Sequence, residues 1–147
     1  MFEETVMDKA ALERFVETEF PQVSGEFAVD EITPEGVVMR LITTERHLRP
    51  GGTISGPSMF GLVDVGMYFA VLSRIGPVAL AVTTNCSIDF MRKPEAGRDL
   101  ICEARLLKLG RTLAVGECHL RSEGRPEVVA RASLTYAIPP KRPEDVG

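Results

Sequence analysis

Cysteine and histidine are both scarce in this chain of 147 residues. The three cysteines, Cys86, Cys102 and Cys118, are odd in number and far apart. No CxxC pair is present to hold a metal or exchange a disulfide, and an odd number cannot all pair within one chain. Three reduced thiols in a cytoplasmic protein are the expectation. The only imidazoles are His47 and His119. His119 adjoins Cys118 in a strand-like run, so the two side chains point to opposite faces and cannot form a Cys/His nucleophile pair. Also missing is a long uninterrupted apolar run. The N-terminal stretch MFEETVMDKAALERF is acidic, and the most apolar segment, from Met59 onward, is broken by Asp64 and ends at Arg74. Neither a signal peptide nor a membrane span is expected. With a formal net charge of -4, the chain lacks a general nucleic-acid surface, although local basic clusters can still hold a small phosphorylated ligand. There are no internal repeats and no low-complexity tract.

What is present fits one domain over residues 1–147, with a polar tail from about residue 139 and a hydrophobic content of 44%. Leu12, Phe15, Val16 and Phe20 recur at helical spacing, and Pro21 ends that short helix. EFAVDEIT and GVVMRLIT are strand-like, joined by a turn at Pro34, Glu35 and Gly36. Four further β-rich runs, LAVTTNCSIDFMRK, RDLICEARLLKL, RTLAVGECHLRS and EVVARASLTYAI, follow in series and read as a meander. Between the two sets lies a Gly-rich loop and a helix over about residues 57 to 74. Gly56 suits the capping position and Pro57 the first helical position. The apolar residues of this helix cover nearly its whole circumference, as in a helix wrapped by other structure. The fold class is therefore α+β: an antiparallel sheet of five or six strands curled around one long central helix, with a short N-terminal helix.

Asp64 is the anomaly in that helix. A buried carboxylate without partners costs several kcal/mol, so it has either partners or a function. Thr83, Thr84 and Tyr68 are candidate partners. Gly56, at the helix start, offers a backbone N–H to a developing oxyanion, with Ser58 as a second donor, whereas Pro57 has none to offer. Gly56 and Asp64 lie about 12 Å apart along one helix axis, too far to flank one carbonyl. A site using both needs two chains, with two helices antiparallel about a two-fold axis. His47 in the loop is a candidate ligand contact, with a solvated loop histidine as the alternative. Arg92, Lys93, Lys108 and Arg111 lie at strand ends or turns, where they can hold phosphates or be simply solvated.

The string HLRPGGTISGPSMFGLVDVGMYFA, with SIDFMRKPEAGRDL after it, resembles the hotdog-fold acyl-CoA thioesterases of the phenylacetyl-CoA thioesterase (PaaI) type. In that family a loop of Asn, several residues, Gly-Thr and His-Gly-Gly leads into the central helix, and an acidic residue two turns on is catalytic. Asp64 falls on the acidic position, Gly52 and Thr53 on the Gly-Thr pair, Gly56 on the first glycine after the histidine, and Thr83 on a hydroxyl residue of the following strand. Arg49, Ser55 and Pro57 replace the family's asparagine, histidine and second glycine, which bears on substrate positioning. The resemblance implies hydrolysis of an acyl-CoA to free acid and CoA by Asp64, Gly56 and Thr83, with Asp64 as base or nucleophile. It implies substrate contacts from Arg49, Ser55, Ser58, His47, Tyr68, Arg92, Lys93 and Arg111. It implies no metal, no cofactor beyond the coenzyme A of the substrate, no nucleic-acid or membrane partner, and a homodimer that pairs into a dimer of dimers. A silent acyl-CoA-binding sensor or scavenger, and a hotdog hydratase or dehydratase, are the alternative activities.

Overall fold

Residues 5–21, 24–78 and 81–140 are described in the computed structural model; most of the polar tail lies outside them. Lys9–Glu19 forms α1. It begins at Asp8, whose carboxylate accepts the Ala11 amide hydrogen at 2.9 Å and so satisfies one donor that a helix start leaves over. Leu12 and Val16 are buried, with Phe15 partly buried beside them, as the helical spacing requires.

Six strands form one antiparallel sheet: β1 (Phe27–Ile32), β2 (Gly36–Leu41), β3 (Val82–Phe90), β4 (Leu100–Leu109), β5 (Leu113–Ser122) and β6 (Val128–Ala137). Their order across the sheet is β1-β2-β4-β5-β6-β3. The expected four-strand meander holds only for β4, β5 and β6, because β3 pairs with β6 at the far edge instead of with β4. Connection length explains the difference. Three residues join β4 to β5 and five join β5 to β6, lengths that close hairpins, but nine residues separate Phe90 from Leu100. The longer connection lets β4 cross to the edge of β2, its antiparallel partner from Gly36↔Arg105 to Leu41↔Leu100.

α2 (Gly56–Ile75) runs through the concavity of this sheet and packs on β2 to β6. Every residue from Gly66 to Arg74 is buried, so no face of that half of the helix is left to solvent. α2 is long and apolar enough to cross a membrane, but here most of it is buried within the chain's own fold, with Phe60 left exposed. Helix and sheet approach closely at Gly116 on β5, where an added Cβ would stand 2.1 Å from Met67 Cε and 2.5 Å from the Arg105 carbonyl oxygen. At its C-terminal end α2 stops at Gly76, whose φ of 93° favours glycine and whose amide reaches the Leu72 carbonyl at 2.9 Å. The buried Arg74 guanidinium ties that end together, donating to Thr5 Oγ1 at 2.9 Å, to Ser73 Oγ at 3.1 Å and to the Thr33 carbonyl.

Candidate active site

The start of α2 is set by the loop before it. Gly51 and Gly52, with φ of 101° and 82°, turn the chain so that Arg49 and Thr53 face one another, the Arg49 amide donating to the Thr53 carbonyl at 2.9 Å. The loop then returns over His47, whose carbonyl accepts the Ser55 amide at 2.8 Å and the Ser58 hydroxyl at 3.4 Å. Ser55 itself is the N-cap, its Oγ accepting the Ser58 amide at 3.3 Å. This corrects the expectation that Gly56 caps the helix. Ser55 has an oxygen to offer an orphan amide and glycine has none, so the helix starts one residue earlier and Pro57 occupies its second position. The Gly56 N–H has no acceptor among the described residues, and of the first three helical positions it alone has an amide to spare, because Pro57 has no N–H and Ser58 gives its own to the cap. The ring of Phe90, at the end of β3, lies beside this glycine, 3.5 Å from where a Cβ would be.

His47 is not a solvated loop residue: it is only 4% exposed. Its Nδ1 accepts the Thr44 amide at 2.9 Å, and its Nε2 stands 2.5 Å from Glu26 Oε1. The ring therefore pins the loop to the start of β1. Nothing in the sequence hints at this, because Glu26 is 21 residues away. Glu26, Phe27, His47, Ser58 and Gly61 line a shallow cavity of about 220 Å³.

Two turns further along α2, Asp64 is half-buried beneath β3 and β6. Thr83 and Tyr136 are directly opposed in the pairing of those strands, which sets their hydroxyls side by side. Both donate to the same carboxylate oxygen: Thr83 Oγ1 to Asp64 Oδ1, and Tyr136 to Oδ1 at 2.8 Å. Asp64 Oδ2 has no hydrogen-bond partner among the described residues. Of the three partners open to Asp64 in the sequence, Thr83 is the one found; Thr84 turns outward to the Thr135 carbonyl. Tyr68 instead packs in an aromatic cluster with Phe15, Phe20 and Phe69, and stacks on Tyr136 at 6.1 Å.

Tyr136 is the site residue that the motif reading missed. A signal for it existed: in EVVARASLTYAI the alternation puts Ala130, Ala132, Leu134 and Tyr136 on the buried face, and a buried phenol needs a partner. Burial, and then the negative charge of Asp64, hold the Tyr136 phenol well above its ordinary pKa, so it stays protonated and remains a donor. Burial, Asp64 and Cys118 push the Cys86 thiol up as well, and the neighbouring Cys102 together with burial does the same to Cys118. These are neutral thiols, not nucleophiles. His119 is exposed while Cys118 is buried, as strand alternation requires.

The basic candidates divide between two ends of the sheet. Arg92 and Lys93 are exposed just beyond the end of β3 that carries Phe90, on the side of Gly56. Lys108 and Arg111 are exposed at the β4–β5 turn, which meets the chain again where the Ile138 amide reaches the Thr112 carbonyl at 2.8 Å, beside Tyr136. Within one chain they do not form a single cluster. Arg49 is exposed in the loop before α2. Among the described residues no group of three or more His, Cys, Asp or Glu is gathered as a metal-ligand set.

Relatives carry the same arrangement of strands and helix. The crystal structure of a "putative thioesterase" from Silicibacter sp. TM1040 is 60% identical and superposes with a TM-score of 0.87, covering 93% of this chain and 95% of that one. A mutant of the phenylacetic acid degradation protein PaaI from Thermus thermophilus is 26% identical with a TM-score of 0.68, over 80% of this chain and 97% of that one. Human acyl-coenzyme A thioesterase 13 is 27% identical over 118 residues, 79% of this chain and 82% of the relative. Residues 51–136, from the glycine loop to Tyr136, match the family described as the Thioesterase superfamily. The chain belongs to the Thioesterase superfamily, with the hotdog fold and a PaaI-like arrangement, and the chemistry of that family is thioester hydrolysis.

Proposed function

We propose that the protein hydrolyses an acyl-CoA thioester to the free acid and CoA, at a site completed by two copies of the chain. The observation that carries this reading is the Asp64 carboxylate, with one oxygen held by Thr83 and Tyr136 and the other open. Oδ2 either removes a proton from a water attacking the thioester carbonyl or attacks that carbon itself to give a mixed anhydride that water then cleaves. In both routes the carbonyl oxygen becomes an oxyanion and the C–S bond breaks to release the CoA thiol. The unpaired Gly56 N–H, at the positive end of α2, is the donor for that oxyanion. No metal is needed for these steps.

Gly56 and Asp64 lie on one continuous helix, eight residues and about 12 Å apart, so they act on one carbonyl only across two chains. Two features support an antiparallel pairing. β3 is a nine-residue edge strand with Val82 and Phe90 exposed, an open template for a second copy. Antiparallel pairing also brings Arg92 and Lys93, at the Gly56 end of one chain, towards Lys108 and Arg111 at the Asp64 end of the other. The two halves of the basic set then meet at the shared site, where coenzyme A phosphates need them.

The test is release of free thiol across a panel of aryl- and fatty-acyl-CoAs. Turnover of at least one class, abolished in Asp64→Asn, is expected. Tight binding of every acyl-CoA with no thiol release would replace the hydrolase with a sensor or scavenger. Loss of enoyl absorbance without thiol release would indicate a hydratase.

A further inference from the structure

The phenol of Tyr136 has one hydrogen and two acceptors at 2.8 Å, the backbone carbonyl of Asp64 and its Oδ1. The helix already pairs that carbonyl with the amide four residues on, and a carboxylate is the stronger acceptor, so the hydrogen goes to Oδ1. Thr83 donates to that same oxygen from the adjacent strand. Two donors on one oxygen draw negative charge towards it and fix the plane of the carboxylate. Oδ2 is left without a hydrogen-bond partner among the described residues. We propose that Tyr136 is a positioning residue for hydrolysis: it locks the Asp64 rotamer and assigns the reacting role to Oδ2. This rests on Asp64 being the base or nucleophile of the acyl-CoA hydrolase reading.

Other groups around Asp64 do not duplicate the role. Cys86 on β3 and Cys118 on β5 are neutral thiols that act on Asp64 only through space, and Cys118 gives its S–H to the Val63 carbonyl at 3.6 Å. Tyr68 on α2 is turned towards the aromatic cluster. Thr83 alone leaves the carboxylate plane free to rotate about a single hydrogen bond.

The test compares Tyr136→Phe with wild type and with Asp64→Asn. Phenylalanine keeps the ring stacked on Tyr68, so a purely structural role predicts an unchanged kcat. The positioning role predicts a kcat lower by about ten- to a hundred-fold with KM within about two-fold, the effect of losing one hydrogen bond to a charged group. The split between kcat and KM is the readout: a merely structural loss would disturb substrate binding as well as turnover, whereas loss of carboxylate positioning lowers kcat alone. A folded Tyr136→Phe protein with wild-type kcat, or one whose KM changes as much as its kcat, overturns the proposal. Should Tyr136→Phe fail to fold, 3-fluorotyrosine at position 136 replaces it; its altered O–H donor changes kcat with KM within about two-fold, and a wild-type kcat is equally fatal. Wild-type turnover in Asp64→Asn overturns the underlying hydrolase reading, whatever Tyr136→Phe does.

Discussion

Asp64→Asn separates chemistry from folding, because the amide reproduces most of what the carboxylate does structurally. Asparagine Oδ1 can accept from Thr83 and Tyr136 as the carboxylate does, while an NH₂ group replaces the open Oδ2. Two charge-assisted hydrogen bonds become neutral ones, a loss of about 1 kcal/mol each. Removing a half-buried charge returns part of that, leaving a net change within about 2 kcal/mol. For a domain of this size that is a melting shift of no more than about 8 °C. Turnover responds differently: without a base or nucleophile at this position kcat falls by at least about 10²-fold. Thiol release followed with a chromogenic disulfide, alongside a thermal melt, measures both. Retained turnover in a protein of normal stability would refute the role given to Asp64. A collapse of stability with the loss of activity would refute the claim that the two hydroxyls serve the amide equally well.

Gly116→Ala drives a methyl against the Arg105 carbonyl, which the sheet holds in place, as well as against the movable Met67 side chain. Overpacking of this kind costs about 2–3 kcal/mol, a melting shift of roughly 4–12 °C by calorimetry, and an unchanged Tm would mean the helix stands further from β5 than described. Cys86 carries a raised thiol pKa, so less of it is thiolate at any given pH and its alkylation by iodoacetamide rises at higher pH than that of an ordinary thiol, near about 8.5. Mass spectrometry of the labelled protein checks this, with buried Cys102 and Cys118 unlabelled in the native state; Cys86 reacting at neutral pH as fast as free glutathione would contradict the environment assigned to it.

The central helix was legible because its signals are local. Continuous apolarity, Pro57 near the start and Arg74 closing the apolar run mark it to within one residue of Gly56–Ile75. Asp64 stood out for the same reason, as a charge in an apolar run, and strand patterning located all six strands. What depended on contacts between distant segments was not legible. The place of β3 beside β6 follows from a nine-residue connection that permits several routes, and composition does not choose among them. The Glu26–His47 contact and the Tyr136 donor join residues 21 and 72 positions apart. The cap went to Ser55 because a side-chain oxygen one residue upstream outcompetes the glycine, a choice made by geometry around the His47 carbonyl.

Complementation between two inactive chains tests the shared site most directly. Asp64→Asn disables one partner of the site and Gly56→Val the other, since a β-branched side chain beside Phe90 blocks carbonyl approach to the amide. Dissociated and reassociated as an equal mixture, about half of all dimers are mixed, and each mixed dimer holds one intact site and one carrying both lesions. With Gly56→Val verified as folded by circular dichroism, activity should return to roughly a quarter of wild type if the two sites act independently. Verified heterodimers no more active than the average of the two parents would place Gly56 and Asp64 in separate roles within one chain and contradict the shared site.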